Sequence, residues 1–244
     1  MLYSGGLDAR TVGEIVAFNQ NHSKLSHLGI WSGVGGFRNQ FMSFTEQGHG
    51  YGLVQHGLID HFLLQLYAEI AVDCTRGTWT CFESRGIPNW TPAGGYTTPS
   101  QSIVPLHVKW MLVWETPRPL AAANAPIISL CKATPRAWMA SGKTIAVRNA
   151  PTTHGRVSFL VQSLLESSSS VTATVSLNSS SIVHARAERV NVTLVLRVPL
   201  NHIMRSVTVD SKPWSRFDAV AETVALEVPR NNSSVHVVVN YEQK

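Results

Sequence analysis

Charged residues are scarce in this 244-residue chain, since Asp, Glu, Lys and Arg together make up only 14% of it. The formal net charge is +5, but the Lys and Arg residues are scattered, and no run of five or six basic residues occurs. Proteins that bind nucleic acids concentrate basic residues in one segment or on one face. We therefore expect no nucleic-acid partner, and the 44% of apolar residues indicates a globular protein with a substantial core.

A long uninterrupted apolar segment is also missing. The first twenty residues contain Asp8, Arg10 and Glu14 and no apolar h-region, so no signal peptide is visible. The most apolar window, residues 53–72, is interrupted by polar residues such as Glu69, which excludes a membrane span. We expect no membrane partner, and a cytoplasmic location for the chain as it stands or secretion if it is a fragment of a longer chain.

Cysteine is rare, and three residues cannot build a full disulfide framework. Cys74 and Cys81 are close enough to form a disulfide in an oxidising compartment, which would leave Cys131 unpaired. His56 and Asp60 lie four residues apart, but neither an H-x-x-x-H nor an HExxH pattern is present. We expect no metal and no other cofactor.

Motifs for nucleophilic serine or phosphate binding are missing as well. The chain has neither a G-x-S-x-G nucleophile elbow nor a G-x-G-x-x-G dinucleotide motif. The segment "SGKT", residues 141–144, has the end of a phosphate loop without the upstream glycine, and it predicts a turn.

The apolar pattern changes midway along the chain. Apolar residues recur at helical spacing up to about Glu115, and they alternate in the two-residue period of strands beyond about Lys143. This change predicts an α+β protein of two domains. We expect residues 1–118 to form a domain of helical hairpins, residues 119–142 a linker, and residues 143–244 an antiparallel β-sandwich or jelly roll.

Three helices have clear sequence signals. Asp8 is the N-cap of the first, and the strongest apolar pattern predicts one long helix over residues 52–73. Another begins at Thr98 as N-cap, with Pro99 in its first turn and Gln101 closing a capping box, and extends to about residue 114. The second half contains seven strand patterns: "TIAVRN", "GRVSFLVQSLL", "VTATVSL", "VNVTLVLRV", "MRSVTVD", "TVALEV" and "SVHVVVN".

Two polar segments flank the long predicted helix and are candidates for a site. The second segment combines Trp, Arg and Glu side chains. Indole rings stack on the apolar faces of sugars, while Arg and Glu side chains bind sugar hydroxyls, so this combination suits a carbohydrate-binding site. A structural interpretation stays open, in which Arg76 and Glu83 form an ion pair with Trp79 packed beneath it. The first segment, predicted as a loop over residues 43–52, contributes Glu46, His49 and Tyr51, and the second contributes Arg76, Trp79, Glu83, Arg85 and Trp90.

Several phrases of the chain, in order, resemble the C-terminal part of bacterial and fungal enzymes of the six-hairpin glycosidase-like group. In that group an (α/α)6 toroid is followed or flanked by a β-sandwich. The phrases are "GHGYGLVQH", "TRGTWTCFE", "TTPSQSIVPLHVKWMLVWE", "CKATPRAWMASGKTIAVRNAPTTHGRVSF" and "RSVTVDSKPW".

The resemblance implies hydrolysis of glycosidic bonds by two carboxyl groups. It assigns Glu83 as acid or base and Glu46 as the second carboxylate, with the other polar residues of the two segments as contacts to a polysaccharide or oligosaccharide substrate.

The first domain is too short for a complete toroid. The chain is therefore either the C-terminal portion of a larger enzyme or an inactive truncated remnant, and exposed apolar helix faces would favour self-association. A noncatalytic carbohydrate-binding or structural module is the alternative to an enzyme.

Overall fold

The structure is a computed structural model of an α+β protein with two compact units, Met1–Trp110 and Met111–Lys244. The first unit is mainly helical and the second is built from two sheets. The structure describes residues 7–21, 26–27, 30–31, 40–75, 77–78, 80–86, 92–93, 95–117, 128–179 and 188–244.

The described part of the first unit has helices joined by short strands. Their bounds are α1 Ala9–Asn21, β1 Ser26–His27, β2 Ile30–Trp31, β3 Gln40–Met42, α2 Ser43–Gln55, α3 Ile59–Val72, β4 Ser84–Gly86, β5 Pro92–Ala93 and α4 Thr98–Leu112. The predicted cap of α1 is confirmed, because the Asp8 carboxylate accepts hydrogen bonds from the Thr11 N–H at 2.9 Å and its hydroxyl at 3.0 Å. These bonds lower the pKa of Asp8.

The prediction of one long helix over residues 52–73 is wrong, because the chain forms α2 and α3 instead. Gly57 has φ +74°, and the Leu58 N–H donates to Leu53 O at 2.9 Å while the Gly57 N–H donates to Val54 O at 3.3 Å. This is the Schellman pattern, which ends a helix at a glycine in the left-handed region. The predicted loop over residues 43–52 is also wrong, since that segment lies within α2.

Helix α4 begins at the predicted residue but is capped differently. Thr97 precedes the helix, and its hydroxyl lies 2.9 Å from the Ser100 hydroxyl. Gln101 closes no capping box; its side chain binds the backbone of Cys81. The helix ends at Leu112, earlier than predicted, because the next three residues pair as a strand.

The seven predicted strands of the second half are confirmed as β8, β9, β10, β11, β12, β15 and β16. Four further strands are too short to show a two-residue period in the sequence. The elements of the unit are β6 Val113–Glu115, β7 Ile128–Leu130, a 3₁₀ helix Arg136–Met139, β8 Thr144–Thr152, β9 Gly155–Leu164, α5 Leu165–Ser168, β10 Ser170–Asn178, β11 Arg189–Val195, β12 His202–Val209, β13 Lys212–Trp214, β14 Phe217–Asp218, β15 Thr223–Pro229 and β16 Asn231–Gln243.

The strands of the second unit form two sheets. The order in the six-stranded sheet is β13-β12-β16-β10-β9-β8, and all of its neighbours are antiparallel. The order in the five-stranded sheet is β14-β15-β11-β7-β6, in which β7 and β11 are parallel. Strand β7 and the 3₁₀ helix lie within residues 119–142, the predicted linker.

Both sheets contribute to one buried apolar cluster. It includes Val157 and Phe159 from β9, Val192 and Leu194 from β11, and Leu226 from β15. Alternate residues of β9 are buried, as expected for a strand with one face on the core. Burying each such side chain stabilises the fold by roughly 1.5–3 kcal/mol. Among the helices of the described ranges, none is both long and apolar enough to cross a membrane.

Candidate functional site

Half of the predicted site residues can be located with their side chains: His49, Tyr51, Glu83 and Arg85. The backbone of Glu46 lies in α2, but its side chain lies outside the described part of the chain. The remaining three, Arg76, Trp79 and Trp90, also lie outside the described residues. Their proposed contacts with substrate stay predictions.

A disulfide joins Cys74 and Cys81 and closes the loop that precedes Glu83. The Thr75 N–H donates to Thr80 O at 2.8 Å, so the loop begins and ends as a short antiparallel bridge. Gln101 of α4 holds Cys81 from a second side, because its Oε1 accepts the Cys81 N–H at 3.1 Å and its Nε2 donates to Cys81 O. The backbone leading to Glu83 is therefore fixed at both ends of the loop.

The backbone of Glu83 joins two segments whose aromatic rings stack on each other. Its N–H donates to Gly95 O at 2.8 Å, which brings together the segments that contain Phe82 and Tyr96. These two rings stack with centroids 4.4 Å apart and planes 25° apart, and Tyr96 is 57% exposed. The Arg85 guanidinium lies 4.6 Å from the Phe82 centroid. We call Phe82, Glu83, Arg85 and Tyr96 the aromatic platform.

The platform presents groups that suit a sugar. An exposed ring with a stacked neighbour beneath it offers a flat apolar surface, and a carboxylate and a guanidinium beside it bind hydroxyls. Tyr96 was not among the predicted site residues. The sequence does contain a signal for it, an aromatic residue directly after "GG" and before the start of a helix.

A second group of polar residues lies inside the helical unit. Gln65 and Glu69 of α3 and Asp73, its C-cap, follow one another at four-residue intervals, so their side chains leave one face of the helix. Their relative exposures are 0%, 1% and 1%. We call these three residues the buried polar row, and a polar side chain so deep in a core requires partners.

Each member of the buried polar row has a partner on another segment. His49 Nδ1 lies 2.8 Å from Gln65 Oε1. His107 Nδ1 lies 3.5 Å from Glu69 Oε2, and Arg85 Nε lies 3.8 Å from Asp73 Oδ1. The row thus joins α3 to α2, to α4 and to the aromatic platform.

Burial controls the charge of this row. It raises the pKa of Glu69, against the opposing effect of His107, and it lowers the pKa of His49, against the hydrogen bond that His49 Nδ1 donates to Gln65 Oε1. The His107 contact is at the outer limit of hydrogen bonding, and neither Glu69 oxygen has a well-formed hydrogen bond within the described ranges. These shifts favour a protonated Glu69 and a neutral His49.

His49 and Tyr51 lie on either side of Gly50, where α2 approaches α4 closely. A Cβ on Gly50 would lie 2.6 Å from His107 Nε2, so only glycine allows the approach. Tyr51 meets Trp110 edge-on with centroids 5.1 Å apart. Both predicted contact residues therefore pack against neighbouring helices in this structure, and any contact with substrate stays a prediction.

The sequence interpretation missed the buried polar row and His107. The signal for the row was present, because Gln65, Glu69 and Asp73 recur at helical spacing within an apolar segment. Within the described ranges, no group of three or more His, Cys, Asp or Glu residues is arranged to hold a metal ion.

No protein-family model matches the chain, and no curated protein matches it. The chain is similar to several solved structures at about one-tenth sequence identity. One titled a glycoside hydrolase is 10% identical, with a TM-score of 0.36 over 84% of this chain and 34% of that one. A GH127 beta-L-arabinofuranosidase from Geobacillus stearothermophilus T6 is 11% identical, with a TM-score of 0.36 over 96% and 41%. A further GH127 beta-arabinofuranosidase is 10% identical, with a TM-score of 0.39 over 90% and 37%. The chain spans less than half the length of each of these structures.

Proposed function

We propose that this chain is the C-terminal portion of a glycoside hydrolase that cleaves an oligosaccharide or polysaccharide, with Glu83 as acid or base. The observation that supports this most directly is the position of Glu83, which is partly exposed, follows Phe82 in the chain and is bonded through its N–H to Gly95, the residue before the stacked Tyr96. A sugar stacked on the exposed Tyr96 ring would lie on the segment to which the Glu83 backbone is bonded, and we propose that the Glu83 carboxylate reaches its glycosidic oxygen. The sequence phrases that resemble six-hairpin glycosidases support the same reaction.

Hydrolysis requires a second carboxyl group. As the acid, Glu83 protonates the leaving oxygen, while its partner activates water or attacks the anomeric carbon, and the two groups lie about 5–10 Å apart. We propose Glu46 as that partner. Glu69 and Asp73 are buried to 1% exposure, so a sugar does not reach them in this structure.

The proposal extends to the architecture. The packing of α2 against α3 through His49 and Gln65 supports a helical hairpin of an (α/α) toroid. The single apolar cluster shared by both sheets supports a β-sandwich, with residues 143–244 as its main part. Leu64 and Tyr67 of α3 are each 50% exposed, which supports self-association through a helix face.

A noncatalytic carbohydrate-binding module is the second candidate function. The observation that favours it is the aromatic platform itself, because a stacked pair with an adjacent Arg binds a sugar without requiring a second carboxylate.

The two functions are separated by measuring cleavage and binding on the same variants. Release of reducing sugar and of p-nitrophenol from a panel of aryl furanosides and pyranosides is measured for the wild type, Glu83→Gln and Tyr96→Ala. We expect Glu83→Gln to lower the rate about 10²–10⁴-fold with binding retained. Tyr96→Ala should weaken binding by roughly 3–10-fold, the loss of one stacking contact.

Glu166→Gln is the matched control, since it makes the same substitution at an exposed residue of the second unit. If Glu83→Gln cleaves as fast as the control, the catalytic proposal is wrong. If the wild type binds a glycan but releases no sugar, the binding module is the correct function.

A further inference from the structure

A groove on the second unit lies next to the turn formed by the "SGKT" segment. Its volume is about 390 Å³, enough for one or two sugar rings, and it is lined by Leu112, Trp138, Lys143, Thr144 and Ile145 among others. Trp138 is 39% exposed, while Ile145 is buried at 7%. The groove therefore has an exposed indole in its lining, and the Ile145 side chain next to it belongs to the buried core cluster of the unit.

The backbone around the groove is held in place by strand β9. The Ser163 hydroxyl, 2% exposed, donates to Met139 O at 2.9 Å. The Gly142 N–H donates to Ser163 O at 2.8 Å, and the Ser163 N–H donates to Lys143 O at 2.9 Å. Because these bonds fix the backbone after Trp138 and around Lys143, only the two side chains lose conformational freedom when a ligand binds.

The turn explains why Lys143 and Thr144 lie together at the rim. Gly142 has φ +76°, a conformation that glycine adopts without strain, and the Ser141 hydroxyl accepts the Glu166 N–H at 2.9 Å. The predicted turn over residues 141–144 is thus confirmed. Lys143 is exposed and forms no ion pair with a carboxylate in the part of the chain that the structure describes.

We infer that this groove binds an acidic sugar, namely a uronic acid residue of a glycan. The apolar face of the sugar ring stacks on Trp138, its carboxylate pairs with the Lys143 ammonium, and the Thr144 hydroxyl binds a ring hydroxyl. The charge of Lys143 selects the acid over a neutral sugar. The inference goes beyond the proposed hydrolysis, because it requires neither Glu83 nor any other residue of the aromatic platform.

Isothermal titration of the full chain with two trisaccharides tests the inference. Trigalacturonate is the acidic probe, and galactotriose has the same ring configuration without the carboxylates. We expect trigalacturonate to bind at least about 5-fold more tightly, with the difference shrinking as salt is raised. Trp138→Ala should weaken its binding about 10-fold and Lys143→Gln about 5-fold.

Lys212→Gln is the matched control, since it removes one exposed positive charge from strand β13 of the same unit. The control should bind as the wild type does, and urea unfolding confirms that each variant is folded. Equal affinity for both trisaccharides, or equal loss in Lys143→Gln and Lys212→Gln, overturns the acidic-sugar assignment. Absence of binding, or binding unchanged in Trp138→Ala, overturns the site.

The same titration with Glu83→Gln separates this inference from the proposed function. Unchanged affinity places the trigalacturonate away from the aromatic platform and supports the groove. Loss of binding in Glu83→Gln means that the probe occupies the platform, which overturns the groove as its site. If no variant or wild-type sample cleaves any glycoside while groove binding persists, only the proposed hydrolysis fails.

Discussion

The interiors of the two units differ in chemistry. The buried cluster of the second unit is apolar, and the buried polar residues that the structure describes there are the hydroxyl side chains Ser129, Thr134, Ser163 and Ser170. The first unit buries Gln65, Glu69, Asp73 and His107 among its helices. A buried carboxylate costs free energy that an apolar residue does not, so this pattern is expected where function rather than stability selects the residues. The comparison agrees with the proposal that the catalytic residues belong to the first unit and that the second unit contributes stability.

The largest expected effect on the free energy of unfolding comes from a substitution in the apolar interior of the second unit. Leu194 of β11 is fully buried between both sheets, so Leu194→Ala should lower the free energy of unfolding by about 2–5 kcal/mol. Urea unfolding followed by circular dichroism measures the change. Leu194→Met, which conserves volume, should cost less than about 1.5 kcal/mol. A loss below 1 kcal/mol for the alanine variant would show that this interior is loosely packed.

Two glycines on helices allow the same substitution in opposite surroundings. Gly50→Ala should lower the free energy of unfolding by about 1–3 kcal/mol, because its Cβ would collide with His107 Nε2 at 2.6 Å. At Gly13 nothing lies within 4 Å of a new Cβ, so Gly13→Ala should raise the free energy of unfolding by up to about 1 kcal/mol. Thermal unfolding of both variants checks the signs. Stabilisation by Gly50→Ala would mean that α2 and α4 separate easily.

The buried carboxyl of Glu69 makes stability depend on pH. Because its pKa is raised in the folded state, the folded protein keeps this proton after the unfolded chain has lost it, and stability falls as pH rises above the ordinary value of 4.5. The amide of Glu69→Gln does not titrate, so the variant does not lose this stability as the pH rises. Its free energy of unfolding should equal that of the wild type near pH 4.5. At pH 8 it should be higher than that of the wild type by about 1 kcal/mol.

Chemical unfolding at a series of pH values from 4.5 to 8 measures this difference, with Glu166→Gln as a control at an exposed residue. Parallel curves for Glu69→Gln and the wild type would contradict the raised pKa. A variant that becomes less stable at pH 8 would show an ionised Glu69 paired with His107.

The smallest expected effect concerns thiol reactivity rather than stability. Burial raises the pKa of the Cys131 thiol, so the folded protein should not react with 5,5′-dithiobis(2-nitrobenzoate) over minutes. Unfolding without a reductant should expose one thiol, and unfolding with prior reduction should expose three. Three thiols in the unreduced sample would mean that Cys74 and Cys81 are not bonded.

Local patterns were enough to predict the strands but not their partners. The alternation in segments such as β9 and β10 depends only on neighbouring residues, so seven strands could be located. The parallel pairing of β7 with β11 joins residues far apart in the chain, and three residues show no period. The α+β class followed from the pattern, whereas the sheet order did not.

The helical unit shows why the site was harder to predict. The apolar pattern continues across Gly57, so the break between α2 and α3 was missed even though a glycine stood there. Glu69 was interpreted as an interruption of an apolar window, because its partner His107 lies on α4 and no local pattern connects them. Glu83 was chosen for its neighbours in sequence, and Tyr96, the ring that stacks on Phe82, belongs to another segment.

The double hydrogen bond from Gln101 to Cys81 makes the side-chain amide act like the peptide group of an adjacent strand. Reduction of the disulfide therefore releases Cys74 from Cys81 but leaves Cys81 fastened to α4. Because Glu83 follows two residues later and bonds to Gly95 itself, its backbone is held by noncovalent attachments in addition to the covalent one. We therefore expect the backbone at Glu83 to change little when the disulfide is reduced.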